Sequence, residues 1–312
     1  MNTLPHIHLC IMQPTGYVHS LGFLDQARYF RHQFRRMGAQ VSLAKNRLRH
    51  DAVNFVFGAH LGFDAALTQR YSCIFVNLEQ LGEGGAKVKP EYLQLLSKSA
   101  VVDYDADNIP AYTTYIEDVP IVPFLYAPYL KPAQAIPLAD RPIDVLFLGS
   151  MNERRRDMIK RIESTGRKVM LFDSPLYGPE RDQFIMQAKC VFNAHFYATS
   201  RFEQARVSHC LSLGTPVVSE RSPLARPHAA FEDSVFWVPE DSIEDFFAKQ
   251  FDTPAFHDQA EVALSRFQAV DPIEAYADVL AFAAGYGKEH QSRRPSTPWQ
   301  PTRINLGSGK DY

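Results

Sequence analysis

The first half of the chain alternates short apolar runs with a longer stretch in which apolar residues recur every three or four positions. Residues 6–12 (HIHLCIM) form the first predicted strand, which Pro14 ends. Residues 23–37 form a predicted amphipathic helix. Its apolar face consists of Leu24, Ala27, Phe30, Phe34 and Met37. Further strands are predicted at 40–44, 52–58, 73–78, 101–104 and 121–124, and a short helix at 92–99. This alternation predicts an open parallel sheet with helices on both faces.

A proline-rich segment at residues 131–142 (KPAQAIPLADRP) separates this half from a second alternation. Its strands are predicted at 143–148, 168–172, 190–194, 217–220 and 234–238. Its helices are predicted at 154–164, 180–188, 200–213, 242–250, 256–267 and 271–284. The chain is therefore predicted to contain an N-terminal Rossmann-like domain (1–130), a linker (131–142), a C-terminal Rossmann-like domain (143–287) and a tail (288–312).

Composition and charge narrow the class of protein. Of the 312 residues, 46% are apolar and 22% are charged, so the chain is globular and can bury sizeable cores. The formal net charge of −2 gives no general attraction to nucleic acid. No run is long enough to span a membrane, and the N-terminus does not resemble a signal peptide. The cysteines lie in or beside apolar runs, which indicates reduced core residues of a cytoplasmic protein. They are Cys10, Cys73, Cys190 and Cys210.

The segment at residues 202–220 (FEQARVSHCLSLGTPVVSE) contains the first candidate site. Ser200 and Glu203 have the spacing of a capping box, which predicts a helix that begins near Ser200 and ends at Gly214. The free N–H groups at such a helix start favour a phosphate, whereas Glu203 can instead accept hydrogen bonds from the hydroxyls of a sugar or ribose. In the alternative interpretation, Glu203 only caps its own helix.

Further polar residues follow the predicted strands. Ligands of open α/β sheets bind at the carboxyl ends of the strands, and two such domains that face each other form a cleft. Residues of the first domain expected at this cleft are His19, His60, Glu79 and Asp105. Residues of the second are Ser150, Arg154, Tyr177, His195, Glu203 and Arg206.

Seven segments, taken in order, resemble a known family. They are FGAHL (57–61), FVNLEQL (75–81), VVDYDADNI (101–109), DVLFLGSMNERRR (144–156), LYGPERD (176–182), FNAHFY (192–197) and the segment at 202–220. They are similar to a group of GT-B-type, glycosyltransferase-like proteins of bacteria, archaea and giant viruses. The resemblance implies an α/β, GT-B fold with two facing Rossmann-like domains, a cleft between them and a nucleotide sugar on the C-terminal one. No G-x-G-x-x-G fingerprint follows the first strand, which argues against a nicotinamide enzyme.

The resemblance implies a UDP-, GDP- or dTDP-linked sugar as co-substrate and no other cofactor. No D-x-D motif lies at a strand end of the C-terminal domain, so we expect metal-independent transfer in which arginines and helix N-termini meet the charge of the leaving group. Alternatively, the arginines at 154–156 lie on a solvated helix face, and Tyr177 only packs on the surface. The expected donor-binding residues are Gly149, Ser150, Arg154, Arg155, Tyr177, Asn193, His195, Glu203 and Arg206.

The catalytic group is expected in the first domain. An inverting glycosyltransferase needs a base for the acceptor hydroxyl, whereas a retaining one can work by positioning and electrostatics. Glu79, at the tip of a buried strand, and His19, on the first loop, are the expected catalytic residues. His60 and Asp105 are second choices. The alternative for each is a structural role as a helix cap or a solvated loop residue.

The tail carries a separate motif. Residues 288–303 are polar and proline-rich, and residues 304–309 (INLGSG) follow them. An apolar strand running into L-G-x-G resembles the first motif of class I S-adenosylmethionine-dependent methyltransferases. We expect a flexible tail that leads into a covalently linked methyltransferase domain of a longer protein, with no methyl transfer by this chain itself. The alternative is a disordered tail with chance glycines.

Three classes of function follow. The first is a glycosyltransferase whose unknown acceptor is a polysaccharide, a protein or a modified nucleic acid. The second is a catalytically weak nucleotide-sugar-binding module that supports an attached methyltransferase. The third is an epimerase of the GT-B type, which would interconvert nucleotide sugars without an acceptor.

Overall fold

The computed structural model describes residues 4–172, 174–291 and 302–304. These residues form two compact units. Unit 2 is the continuous segment Phe124–Asp271, and unit 1 consists of the described residues up to Pro123 together with those from Pro272 onward. The chain therefore leaves the first unit, builds the second and then returns to the first.

Unit 1 is built on a five-stranded parallel sheet. Its strands are β1 (Ile7–Ile11), β2 (Val41–Lys45), the separate two-residue β3 (Arg47–Leu48), β4 (Val53–Phe57), β5 (Ser72–Asn77) and β6 (Ala100–Asp103). The order in the sheet is β2-β1-β4-β5-β6. β1, β4 and β5 are buried at every position, as expected for central strands that are covered on both faces.

Helices α1 (Gly22–Arg36) and α2 (Pro90–Ser97) belong to unit 1. α1 buries Phe30, whose ring lies 5.9 Å from Phe55 and 5.2 Å from Phe57 on one face of β4. α2 contributes Tyr92 to a second core, which contains Val56 of the other face of β4. Successive residues of a strand point to opposite faces, so the two helices cover opposite faces of the sheet.

Unit 2 repeats this architecture. Its strands are β7 (Ile143–Phe147), β8 (Val169–Met170), β9 (Ala188–Asn193), β10 (Val217–Arg221) and β11 (Phe236–Pro239), all parallel, in the order β11-β10-β9-β7-β8. Numbered within its own unit, each sheet has the strand order 2-1-3-4-5. The winding reverses between the first and third strands, which are β1 and β4 in unit 1 and β7 and β9 in unit 2. Ligands of doubly wound sheets bind at such switch points.

Two cores cover the faces of the second sheet. The helices of unit 2 are α3 (Glu153–Ser164), α4 (Pro179–Gln187), α5 (Gln204–Ser212), α6 (Ala229–Glu232), α7 (Ile243–Lys249) and α8 (Pro254–Gln268). Val191 of β9 packs in one core with residues of α5 and α8. Phe192, the next residue, packs in the other core with residues of α3 and α7.

The chain then returns to unit 1. Helix α9 (Ile273–Gln291) packs against α1, β4 and β5, and the Tyr276 ring lies 5.2 Å from Phe30 and 6.0 Å from Phe34. Strand β12 (Thr302–Arg303) pairs antiparallel with β3, and Ile304 is buried in the core of unit 1.

Most predicted elements are present, and four differ from expectation. Residues 121–124 form no strand, because only Ile121 makes a bridge, to Asp103. The strand expected at 168–172 is reduced to the two paired residues of β8. α5 begins at Gln204 and not near residue 200. The helix expected at 271–284 continues to Gln291 and packs in unit 1, whereas the sequence placed it in the domain 143–287.

The tail also differs from expectation where it is described. Residues 288–291 continue α9, and Thr302–Arg303 pair with β3. Residues 305–309 of the methyltransferase-like motif lie outside the described part of the chain. The four cysteines are buried free thiols, as predicted. Within the described ranges, no helix combines the length and hydropathy that crossing a bilayer requires.

Candidate functional site

Residues expected to bind the donor gather at the switch point of unit 2. Gly149 follows β7, Asn193 ends β9 and His195 comes two residues later. Glu203 immediately precedes α5, and Arg206 lies in its first turn. Parallel strands end at the same edge of a sheet, which brings these residues together although they are distant in sequence.

Asn193 is the centre of this group and is fully buried. Its Nδ2 donates to Oε2 of Glu203 and to Oγ of Ser219, both at 3.1 Å. Its Oδ1 accepts a hydrogen bond from Nη1 of Arg206 at 3.1 Å. One amide side chain thus holds a carboxylate and a guanidinium group beside each other.

Glu203 faces the strand ends and does not cap α5. Its Oε2 lies 3.2 Å from Nδ1 of His195, and its Oε1 lies 3.5 Å from Nη2 of Arg155. The predicted capping box is therefore wrong. Ser200 has a φ of 49°, in the left-handed region, so a helix cannot begin there.

The neighbours of Glu203 determine its ionisation. Burial alone raises the pKa of Glu203, but His195 and the positive charges of Arg206 and Arg155 outweigh burial and hold the pKa below its ordinary value. Glu203 is thus an ionised carboxylate at neutral pH and can only accept hydrogen bonds.

Three buried polar atoms of this group have no hydrogen-bond partner among the described residues. They are Oε1 of Glu203 and both ring nitrogens of His195. The 3.2 Å contact between His195 and Glu203 is therefore an electrostatic contact without hydrogen-bond geometry. Buried polar groups are nearly always hydrogen-bonded, so these three atoms lack a partner that such groups normally have.

Arg155 is locked in place below this group. Its Nε donates to the carbonyl of Ala194 at 3.0 Å, and its Nη1 donates to the carbonyl of Ser150 at 2.8 Å. Its guanidinium carbon lies 5.4 Å from the ring centre of Phe147 and 5.1 Å from that of Phe196. Burial lowers the pKa of Arg155 to about 10, so the side chain remains a cation at neutral pH. Arg155 thus supplies a fixed positive charge and, through these hydrogen bonds, holds the loops that follow β7 and β9.

Two guanidinium groups lie close to Gly149. This residue has a φ of 140°, which L side chains rarely adopt. A Cβ atom added here would lie 3.1 Å from Nη1 of Arg155 and 3.3 Å from Nη2 of Arg206. Only glycine leaves the approach to these two cations open. Arg206 itself forms no ion pair with any residue that the structure describes.

Arg154 is engaged by two carboxylates. It pairs with both carboxylate oxygens of Glu220 and with Oε2 of Glu240, the latter at 2.7 Å. Glu220 is almost fully buried and also accepts the backbone N–H of His195 at 3.1 Å. Glu220 therefore fixes the loop that carries His195. It was not among the predicted site residues, although its signal is a charged residue at the end of a buried strand.

The other two expected donor residues are Ser150 and Tyr177. Ser150 is exposed and contributes its backbone carbonyl to Arg155. Tyr177 is half-buried in the loop before α4.

In unit 1, the expected catalytic Glu79 lies beside His60, a second choice. Oε1 of Glu79 lies 3.5 Å from Nε2 of His60, and both side chains are partly exposed. The ring centre of His60 lies 5.9 Å from Phe23 and 5.6 Å from Tyr92. Aromatic side chains thus hold the imidazole beside the carboxylate.

The remaining candidates of unit 1 are His19 and Asp105. His19 is exposed, and its ring centre lies 5.4 Å from that of Tyr17. Asp105 accepts the backbone N–H of Asp107 and precedes the short helix Ala106–Ala111, so it has a capping role. In the described ranges, no group of three or more His, Cys, Asp or Glu side chains is arranged to hold a metal ion.

Comparison of sequences gives one distant relative. No protein-family model matches the chain. Uncharacterized protein L140 of Acanthamoeba polyphaga mimivirus is 29% identical over 168 residues, which are 50% of this chain and 51% of the viral protein. The chain thus spans about half the length of that relative.

Comparison of structures decides the fold class. The crystal structure of Anabaena Alr3699/HepE in complex with UDP and glucose has a TM-score of 0.55 and 12% identity, and the alignment covers 89% of this chain and 99% of that one. The complex of the same protein with UDP-glucose has a TM-score of 0.51 and 13% identity, with the same coverage. The chain has the GT-B fold. The predicted class, with two Rossmann-like parallel sheets, is therefore confirmed.

Proposed function

We propose that this chain is a glycosyltransferase that moves a sugar from a nucleoside-diphosphate sugar to the hydroxyl of an acceptor. The observation that carries the proposal is the buried group at the switch point of unit 2. There, three buried polar atoms of Glu203 and His195 have no hydrogen-bond partner among the described residues, and Arg206 beside them forms no ion pair with a described residue. A GT-B fold with such a group has the means to bind hydroxyls and phosphates together.

Each part of a nucleotide sugar finds suitable chemistry in this group. The carboxylate of Glu203 accepts hydrogen bonds from hydroxyls of a ribose or a sugar, and the imidazole of His195 bonds a neighbouring polar atom. The phosphates lie over Gly149, where the absence of a side chain permits contact with Arg206. Arg154 acts indirectly, because Glu220 and Glu240 already neutralise it.

Cleavage of the bond between sugar and phosphate leaves negative charge on the diphosphate. We propose that Arg206, with Arg155 behind it, meets that charge without a metal ion. Fixed cations in a buried site stabilise developing charge strongly, because no solvent has to reorganise around it. Arg155 is already oriented by two backbone carbonyls, which satisfies this requirement.

We propose the Glu79–His60 pair of unit 1 as the proton acceptor for the hydroxyl of the acceptor. A general base must reach the proton it removes, and a partly exposed carboxylate at a strand end is accessible to a substrate. His19 is a second proton acceptor in this proposal, because it is exposed on the first loop. The acceptor is a polysaccharide, a protein or a modified nucleic acid.

The first donor to test is a UDP sugar, because HepE was crystallised with UDP and with UDP-glucose. GDP- and dTDP-linked sugars come next. We place the reaction in the cytoplasm, because buried free thiols are typical of a reducing compartment.

Thermal-shift measurements test donor binding. A ligand that binds only the native state raises its melting temperature, so at least one nucleotide sugar is expected to stabilise the wild-type chain. Glu203→Gln and Arg206→Ala each remove a charged partner and are expected to weaken binding by roughly ten- to a hundredfold. Arg156→Ala is the matched control, because Arg156 is exposed on α3. Equal loss in the control, or no stabilisation by any donor, would contradict the proposal.

Product analysis separates the three classes of function. A glycosyltransferase slowly releases free sugar from its donor when water replaces the acceptor. An epimerase of the GT-B type instead converts one nucleotide sugar into another. A binding module is stabilised by the donor but forms neither product.

A further inference from the structure

Unit 1 contains a buried carboxylate that the proposed transfer does not use directly. Asp103 ends β6, is fully buried and forms no ion pair with any described residue. It accepts four hydrogen bonds. The donors are Nδ2 of Asn77 at 2.8 Å, Nδ2 of Asn108 at 2.9 Å, the hydroxyl of Tyr112 at 3.0 Å and the backbone N–H of Asp105 at 3.1 Å.

Four donors around one side chain call for a carboxylate. An ionised carboxylate accepts through both oxygens and donates nothing. An asparagine in this place would turn an NH2 group toward two of the donors, and an apolar residue would leave all four without a partner. Burying a carboxylate without a cation is costly, so Asp103 is expected to do more than fill space.

Asn77 links Asp103 to the proposed proton acceptor. Its Nδ2, which donates to Asp103, also lies 3.1 Å from the carbonyl oxygen of Glu79. Its Oδ1 accepts the backbone N–H of Glu79 at 3.2 Å. Both backbone polar groups of Glu79 are therefore held by one amide, and Asp103 fixes the orientation of that amide.

Tyr92 links the same network to His60. Its hydroxyl donates to Oδ1 of Asn77 at 2.9 Å, and its ring centre lies 5.6 Å from that of His60. The carboxylate and the imidazole of the proposed pair are thus positioned from one buried hydrogen-bond network.

We infer that Asp103 and Asn77 are positioning residues, which hold Glu79 in the orientation that proton transfer requires. The inference rests on the proposed function of Glu79. Asp103 acts through Asn77 and does not touch the substrate. A displacement of about 1 Å at a reacting group can lower a rate by about a hundredfold, so a rigid anchor for Glu79 has a direct effect on turnover.

Turnover measurements test this inference in the full chain. The rate measured is the release of glucose from UDP-glucose with water as acceptor. Glu79→Gln sets the rate without the Glu79 carboxylate. Asn77→Ala and Asp103→Asn are expected to lower kcat by about tenfold or more, with KM for UDP-glucose changed less than about twofold, because donor binding belongs to unit 2.

Tyr112→Phe is the matched control. It removes one hydrogen bond from the same carboxylate but leaves the link between Asp103, Asn77 and Glu79 intact. Its kcat is expected to stay within about twofold of the wild type, although it also lowers stability. Equal losses of kcat in Asn77→Ala and Tyr112→Phe would overturn the inference, because the network would then act only through stability.

Amide hydrogen exchange provides a second measurement that does not depend on activity. The N–H of Glu79 is expected to be protected in the wild type and in Tyr112→Phe, and to exchange at least about tenfold faster in Asn77→Ala. Tyr92→Phe keeps the ring beside His60, and the exchange rate of its Glu79 amide is expected to lie between that of the wild type and that of Asn77→Ala. An unprotected Glu79 amide in the wild type would overturn the inference. Absence of turnover with every donor would contradict the proposed function, and the exchange experiment would still test the positioning.

Discussion

At the scale of single residues, Gly149 has a backbone conformation that favours glycine, and two arginine side chains lie close to its Cα atom. Its φ of 140° is one that residues with a side chain rarely adopt. Arg155 and Arg206, the two cations proposed to face the phosphates, lie close to where a Cβ atom would be. Two separate costs therefore attach to any side chain here. One is backbone strain, and the other is displacement of Arg155 and Arg206.

Gly149→Ala is expected to weaken nucleotide binding by about tenfold or more, because the new methyl group displaces the guanidinium groups of Arg155 and Arg206. It is also expected to destabilise unit 2 by about 1–3 kcal/mol through backbone strain. Gly166→Ala is the matched control, since Gly166 also has a positive φ but nothing within 4 Å of an added Cβ. Isothermal titration with UDP separates the two costs, and equal losses of affinity would show that crowding of the arginines is unimportant.

Glu203 illustrates which part of the candidate site could be predicted from sequence. Placement at a predicted strand end favours Asn193 and His195, and placement at a predicted helix start favours Glu203. The structure brings these three residues together. The orientation of Glu203 depends on partners ten residues away and on the left-handed Ser200, which the capping-box spacing does not report. Glu220 was missed for a similar reason, because its partner Arg154 lies 66 positions away.

At the scale of elements, Arg141 joins the amino ends of the strands of unit 2. It is buried just before β7 and donates to the carbonyls of Ala188 and Gly214 and to Oγ1 of Thr215. Gly214 follows the end of α5, where free carbonyls favour a cation. Burial lowers the pKa of Arg141 to about 10, so it is charged at neutral pH.

Arg141→Met is expected to lower the free energy of unfolding of unit 2 by about 2–4 kcal/mol, because it leaves several buried acceptors without a donor. Urea denaturation measures this loss. Nucleotide affinity of the folded protein should not change, since Arg141 lies at the opposite ends of the strands from Gly149. The control is Arg266→Met, which alters an exposed arginine of α8. A loss in the control as large as that in Arg141→Met would refute a specific role.

The elements themselves were largely predictable because their periodicity is local. Buried parallel strands appear as continuous apolar runs, and α1 shows its helical spacing clearly. Partners are not encoded in this way. The pattern of α9 indicates an apolar face but does not tell which unit it covers, and the ladder of β12 with β3 depends on residues more than two hundred positions apart.

At the scale of the whole molecule, the two units have the same winding but opposite responses to acid. Burial raises the pKa of Asp103 in unit 1 to about 6, although four hydrogen bonds oppose it. The pKa of Glu203 in unit 2 lies below its ordinary value. A raised carboxyl pKa favours the folded state as the pH falls, whereas a depressed one favours it as the pH rises.

Between pH 6 and about pH 4, folded unit 1 binds a proton at Asp103 that the unfolded chain does not bind. Its free energy of unfolding is therefore expected to rise as the pH falls, by about 1.4 kcal/mol per pH unit. Below the ordinary pKa of a glutamate, unit 2 is expected to lose the stability that ionised Glu203 provides. Hydrogen exchange of β5 and β9 amides, corrected for intrinsic rates, follows the units separately. Asp103→Asn should abolish the rise in stability that the β5 amides report as the pH falls. A rise that persists in this variant would come from another titrating group.

The return of α9 to unit 1 has a consequence for the order of events during synthesis. The ribosome makes α1, β4 and β5 early, but Tyr276, which covers the rings of Phe30 and Phe34, emerges only after all of unit 2. The first unit therefore remains incomplete, with part of its aromatic core uncovered, while the second is finished. The half that is translated first is the half that matures last.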